Sequence, residues 1–351
     1  MMEELNLMKQ AVQAMMSGMP KALRDPHRPA WHLAPSIGLL NDPNGFIQHN
    51  GVYHLFYQWN PLGCDHRNKC WGHWQSTDLV HWQHQPVALV PGACYDSHGC
   101  YSGSAVVADG KIMLAYTGNV KYPDGSRTAY QCLAQENAHG GYDKLGPVLP
   151  LPPGYSGHVR DPKVWRHQDN WYMVLGARDL QDRGKVLLLR SAELRNWQLL
   201  GEIAGSQLNG IGDFGYMWEC PDLFTLDGAE VLICCPQGLA AEAERYLNVY
   251  QAGYFTGRLD YRQATFDHQD FHELDAGFEF YAPQTTLTED GRRLLVGWMG
   301  VPEQDEDCHP TLQYGWIHIL TCPRELSLHN GRLCQRPARE LQQLRLSLIH
   351  I

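Results

Sequence analysis

The chain has 351 residues and a net charge of −10, with 44% hydrophobic, 11% aromatic and only 19% charged residues beside 34 Gly and 21 Pro. So many aromatics and turn formers with so few charges suit a β-rich globular protein and exclude a disordered or coiled-coil one. The acidic balance argues against a nucleic-acid partner, whose phosphates need a basic face, and no run of 18 apolar residues offers a membrane span.

Residues 3–23 carry Leu5, Met8, Val12, Met15, Met16 and Met19 at helical spacing, which predicts a short amphipathic packing helix in an N-terminal segment 1–30. MMEELNLMKQ opens with acids and lacks a basic stretch followed by an apolar run, so no signal peptide and a cytoplasmic location are expected. The eleven cysteines form no C-x-x-C pair, and Cys64/Cys70 and Cys94/Cys100 have five residues between them. Free thiols in a reducing compartment fit that pattern better than a zinc site or a disulfide framework.

From Trp31 the texture changes to short strands such as GVYHLFYQW, KIMLAYTG, NWYMVLGA, VLICCPQG and RRLLVGWMG, bounded by Gly, Asp or Asn. They repeat. NDPNGFIQHNGVYHLFYQ is echoed by YSGSAVVADGKIMLAYTG, RDPKVWRHQDNWYMVLGA, ECPDLFTLDGAEVLICCPQ and YAPQTTLTEDGRRLLVGWM. The leading polar residues are Asp42, Ser102, Asp161, Glu219 and Tyr281, at intervals of 60, 59, 58 and 62 residues. STDLVHW (76–82) and SAELRNW (191–197) echo one another in two of the units. Five units of near-constant length, each with room for four strands, predict an all-β five-bladed propeller over residues 31–337.

A propeller gives the repeats a geometry. If each unit begins its innermost strand, Asp42, Asp161 and Glu219 meet at one mouth of the central channel. NDPNG alone reads as a turn, but a turn repeated for structural reasons has no need to be acidic in three units and Ser or Tyr in two. Asn41 and Asn44 flank Asp42 and can stabilise its ionised form, and Arg160 and Lys163 should lower the pKa of Asp161. Glu219 lies in YMWECP, where desolvation should raise its pKa. Carboxylates held in opposite protonation states are what glycoside hydrolysis needs.

NDPNG, RDP and EC, in this order at the starts of units one, three and four, resemble glycoside hydrolase family 32, the invertases and fructan hydrolases. FYQWNP (56–61), CWGHWQSTDLVHW (70–82), CYSGSA (100–105), FYAPQ (280–284) and GWM (297–299) extend the resemblance from about Trp31 to Pro337. HVRDPKVWRH and GWIHILTCPREL are most similar to the enterobacterial branch that acts on sucrose 6-phosphate. The resemblance implies a retaining β-fructofuranosidase with Asp42 as nucleophile, Asp161 as transition-state stabiliser and Glu219 as acid/base. It implies substrate contacts at Asn41, Gln58, Tyr101, Ser102, Arg160, Tyr281 and Trp298, while Trp71 and Trp74 are expected to pack in the core.

The implied partner is a small sugar or sugar phosphate, with no cofactor and no metal, the histidines showing no H-E-x-x-H type of spacing. The stretch DHRNK, residues 65–69, follows the Asn-Pro corner and offers His66, Arg67 or Lys69 to a substrate phosphate, with Arg127 of the second unit as an alternative. Relatives in the family continue into a β-sandwich, so residues 338–351 are expected to begin a linker to a C-terminal β-sandwich that this chain lacks. Competing expectations are a plain invertase or fructan exo-hydrolase and, from another class, an inactive sugar-binding propeller.

Overall fold

The structure, a computed structural model, describes residues 2–345, so the last six residues of the expected linker lie outside the described residues. The repeat becomes five antiparallel sheets arranged as a five-bladed β-propeller. Their innermost strands are Gly38–His49, Cys100–Ala108, Tyr155–His167, Met217–Leu226 and Tyr281–Leu287. Each inner strand touches the next, and the fifth touches the first. The ring is tied shut by Trp316–Ile317, which pairs parallel to the start of the first inner strand, Gly38 opposite Trp316.

Each blade runs outward from its inner strand. In blade three Asn170–Asp179, Gly184–Ser191 and Gln198–Gly205 follow in order. In blade five the outer strands are Arg324–His329 and Arg332–Pro337, so the propeller ends where the repeat pattern ends. Arg339–Leu344 follows as a 3-10 helix. Between blades the second strands supply an almost wholly apolar filling, such as Met173, Val174 and Leu175 from blade three and Leu232, Ile233 and Cys234 from blade four, all fully buried. Trp71 and Trp74 are fully buried with them, as expected.

The echo between blades one and three is a shared turn. Asp78 Oδ1 accepts the backbone N–H groups of Val80 and His81, and Glu193 accepts that of Asn196. In each, the Leu that follows lies in the left-handed region, and its carbonyl accepts the indole N–H of Trp82 or Trp197. A buried acceptor for the tryptophan explains why this motif recurs without any part in a site.

The N-terminal helix spans Met2–Ala22, and its apolar stripe packs only in part. Leu5, Val12 and Met16 are exposed, and the helix buries Ala11 and Ala22. At Gly18 an added Cβ would stand 3.0 Å from Ile37 Cγ2. Close approach needs small residues at the contact; Met15 packs half-buried against the core, while Met8, Met16 and Met19 stay exposed. The segment after the helix is held more firmly: Asp25 Oδ2 accepts Trp316 Nε1 at 2.8 Å, and the Arg28 guanidinium lies 5.0 Å over the same indole. Among the described residues no helix is long and apolar enough to cross a membrane.

Candidate active site

All five inner strands break register at the same level. Pairing slips between Leu40 and Pro43, Tyr101 and Gly103, Arg160 and Lys163, Glu219 and Asp222, and Tyr281 and Gln284. A bulge leaves a residue outside the ladder and re-aims side chains, so five bulges in a ring turn the leading polar residues toward the channel mouth. Asp161, Cys220 and Ala282 pay for this with left-handed backbone at φ 64°, 47° and 47°. For a residue with a Cβ that conformation costs about 1–2 kcal/mol, and it persists because the surrounding sheets fix it.

The three carboxylates converge. Asp42 Oδ1 accepts Asn41 Nδ2 at 3.0 Å, and its Oδ2 accepts a short bond from the Ser102 hydroxyl. Asp161 Oδ2 accepts the backbone N–H of Cys220 at 3.0 Å. The Cys220 sulfur stands 3.8 Å from Asp42 Oδ2 and 3.6 Å from Asp161 Oδ2, so both aspartates meet at one atom. Glu219 Oε2 accepts the Tyr281 hydroxyl at 2.8 Å, and its Oε1 accepts Arg160 Nε at 3.0 Å together with a shorter bond from Nη2. The same guanidinium lies 3.9 Å from Asp161 Oδ2.

The surroundings of Glu219 and Asp161 differ from those their sequence neighbours suggest. Glu219 is not in an apolar cup, because Trp218 and Met217 are buried beside it while its carboxylate points to Arg160 and Tyr281. Asp161 does not stay low. Burial is the largest influence and pushes its carboxyl up, the charges of Glu219 and Asp42 add to it, and Arg160 opposes them. Sequence adjacency placed the arginine beside Asp161, whereas the fold turns it onto the neighbouring blade. Lys163 likewise points away from the mouth, to Asp222 at 2.8 Å. Asn44, expected to support Asp42, instead accepts the backbone N–H of Gly103.

These groups line a cavity of about 390 Å³ together with Gln58, His66, Lys69, Tyr101 and Arg127. Gln58 is buried and donates to the carbonyl of Cys100. Trp298, expected at the substrate, is fully buried behind the wall, its ring 6.3 Å from that of Tyr281. Of the basic stretch 65–69, only part reaches the cavity. Arg67 is 81% exposed, forms a pair with Asp65 and does not line it. Lys69 is buried, with Nζ on Asn41 Oδ1 at 2.5 Å and on His66 Nδ1 at 2.8 Å. Burial lowers its pKa to about 8 against the pull of Asp42 and Glu306. His66 Nε2 lies 2.7 Å from Glu306.

Sequence reasoning missed several lining residues: His158, Arg178, Tyr216, Gln237, Tyr250 and Glu303. His158 had a signal, since it lies two residues before Arg160 on one strand and therefore on the same face. The others come from second strands and loops, where nothing in the repeat marks them. The fold also brings Glu279, His309 and His318 together, with ligand atoms within 4.8 Å of one another, although none lines the cavity. A larger cavity of about 760 Å³ at the opposite mouth, lined by the far halves of the inner strands, contains none of the three acids.

Comparison with known proteins matches this architecture. The family described as Glycosyl hydrolases family 32 N-terminal domain matches residues 32–337. The sucrose-6-phosphate hydrolases of Salmonella typhimurium and Klebsiella pneumoniae are each 65% identical over 334 residues, 95% of this chain and 72% of theirs. Among solved structures, a Bombyx mori GH32 beta-fructofuranosidase is similar with a TM-score of 0.88 at 38% identity, covering 97% of this chain and 71% of that one. A sucrose-6-phosphate hydrolase from Lactobacillus gasseri gives 0.89 at 35% identity, covering 96% and 68%.

Proposed function

The chain belongs to glycosyl hydrolase family 32, and from that premise we propose that it hydrolyses the β-fructofuranosidic bond of sucrose 6-phosphate to glucose 6-phosphate and fructose. The observation that carries this is the ring of bulges that gathers Asp42, Asp161 and Glu219 at one cavity of sugar-binding size. A lectin-like propeller would have no use for three carboxylates so close together, because crowding like charges in a buried site costs stability. The relatives named as sucrose-6-phosphate hydrolases supply the substrate, and a phosphorylated disaccharide supports a reaction inside the cell.

In this reading Asp42, oriented by Asn41 and Ser102, is the nucleophile and attacks C2 of the fructosyl unit. Glu219 gives its proton to the leaving glucosyl oxygen, the C2–O bond breaks, and glucose 6-phosphate departs. Glu219 then takes a proton from water as that water attacks C2, releasing fructose and freeing Asp42 with the original configuration. Asp161 holds the fructosyl hydroxyls and faces the positive charge that develops at the ring. Arg160 stands on Glu219, so a proton-donating Glu219 requires the guanidinium to turn to the hydroxyls of the substrate, leaving Tyr281 as its partner.

The test is direct. Purified protein is given sucrose 6-phosphate or sucrose in separate reactions, and glucose 6-phosphate or glucose release is measured. Turnover of the phosphate ester with higher kcat/KM than sucrose supports the reading, and release from neither substrate refutes it.

A further inference from the structure

The cavity has two unlike rims. On the side of blades four and five stand Glu303, which accepts the Tyr250 hydroxyl at 2.9 Å, and beyond it Glu306 with its histidines. On the side of blades two and three the charge is reversed. Arg127, at the start of the strand Arg127–Glu136, places Nη1 3.1 Å from His158 Nδ1 and Nη2 3.5 Å from the Tyr101 hydroxyl. Arg178 lies on the strand beside His158, since Val159 pairs with Ala177 and Tyr155 with Asp179. Its guanidinium lies 5.1 Å over the Tyr216 ring.

This basic rim is built. At Gly157 a Cβ would stand 2.3 Å from the Arg127 carbonyl oxygen and 2.4 Å from its Cγ, so only glycine lets the arginine stem lie against the chain there. Arg127 has no carboxylate partner among the ion pairs of the described residues. Arg178 has one, Asp182 at 2.8 Å, which is 68% exposed. An exposed pair of that kind is worth little and yields readily to a dianion. His158 reports the field: burial first, then Arg160, Arg127, Arg178 and Lys121, drive its pKa down to about 3. Arg160 Nη1 stands 2.8 Å and Arg127 Nη1 3.1 Å from its Nδ1, closer than the 3.4 Å from Arg127 Nη1 to Nε2, so the ring is arranged to accept at Nδ1 and donate from Nε2.

Resting on the hydrolase reading above, we propose that Arg127 and Arg178, with the Nε2–H of His158, form the subsite for the 6-phosphate of the glucosyl unit. The fructosyl end is fixed at the acids on the floor, so the glucosyl group extends to the rim. A dianion there is repelled by the Glu303 side and attracted by two guanidinium forks, the side chains best matched to phosphate oxygens. The stretch 65–69 is thereby set aside. Lys69 is committed to Asn41, His66 to Glu306, and Arg67 faces solvent.

The experiment compares kcat/KM for sucrose 6-phosphate with that for sucrose in the wild type, R127Q, R178Q and R67Q, with inorganic phosphate as a competing inhibitor. Losing a charge-assisted hydrogen bond should lower the phosphate-to-sucrose ratio about tenfold or more in R127Q and in R178Q, and should weaken inhibition by phosphate in parallel. A structural defect would lower both substrates together and leave the ratio alone, so an unchanged ratio in both variants overturns the proposal. A ratio that falls only in R67Q overturns it as well. A wild type that turns over both substrates without preferring the phosphate ester overturns the subsite, and one that releases product from neither overturns the hydrolase reading itself.

Discussion

Asp161→Asn should stabilise the protein while abolishing its turnover. The backbone raises no objection, since Asp161 has φ 64° and Asn is among the few residues that tolerate the left-handed region. The amide keeps an acceptor for the Cys220 N–H, which now bonds Asp161 Oδ2 at 3.0 Å. What it removes is a charge pressed against Asp42 and Glu219 in a buried site, where the carboxyl is pushed up to about 7 from 3.8. A carboxyl raised that far in the folded state loses on the order of 4 kcal/mol of folding stability once fully ionised, and sharing protons with its neighbours reduces the loss toward 2. For a chain of this length 2–4 kcal/mol corresponds to about 3–5 °C in Tm. The folded pKa lies above the unfolded one, so wild-type stability is intact below pH 3.8 and declines as pH rises through about 7. The advantage of the variant is therefore full at pH 8 and falls to about half or less at pH 5. Melting both proteins at the two pH values checks this. An Asp161→Asn protein no more stable than wild type at pH 8, or an advantage independent of pH, would refute the reasoning.

Other outcomes follow from the same geometry. Asp42→Asn should lower kcat by at least about 10⁴-fold, as loss of the proposed nucleophile would, and Glu219→Gln by about 10²–10⁴-fold, the range for loss of the proposed proton donor; steady-state kinetics on sucrose 6-phosphate measures both. Asp25→Ala should cost about 1–3 kcal/mol in urea unfolding, because it strands the buried Trp316 indole N–H at the point where the ring is tied shut. Iodoacetamide should label Cys94 and Cys308, which are exposed, well before Cys220, whose thiol burial and the adjacent Asp161 and Asp42 carboxylates push far up. Peptide mapping reads the order, and activity should survive labelling of the first two.

The propeller was legible because its repeat is carried by whole strands, and the spacing of Asp42, Asp161 and Glu219 follows from five equal blades. The bulges were not legible. They lie at ordinary-looking residues, Cys220 and Ala282 among them, whose left-handed backbone is imposed by neighbouring strands and not by their own chemistry. Because the bulges re-aim side chains, local sequence misled about charge: Arg160 adjoins Asp161 in the chain but binds Glu219 in space. Lys69 illustrates the same limit. In DHRNK it reads as one cation in a solvated run, yet strand pairing of Cys70 with Trp59 draws it inward onto Asn41.

The proposed nucleophile, Asp42, would carry the fructosyl group between the two steps. That role is tested most directly by mapping the covalent adduct that forms when a slow fructosyl substrate is added and the protein is quenched, digested and sequenced by mass spectrometry. One fructosyl ester is expected, on the peptide containing Asn41 and Asp42, at the Asp42 carboxylate. An adduct on Asp161 or Glu219 would contradict it.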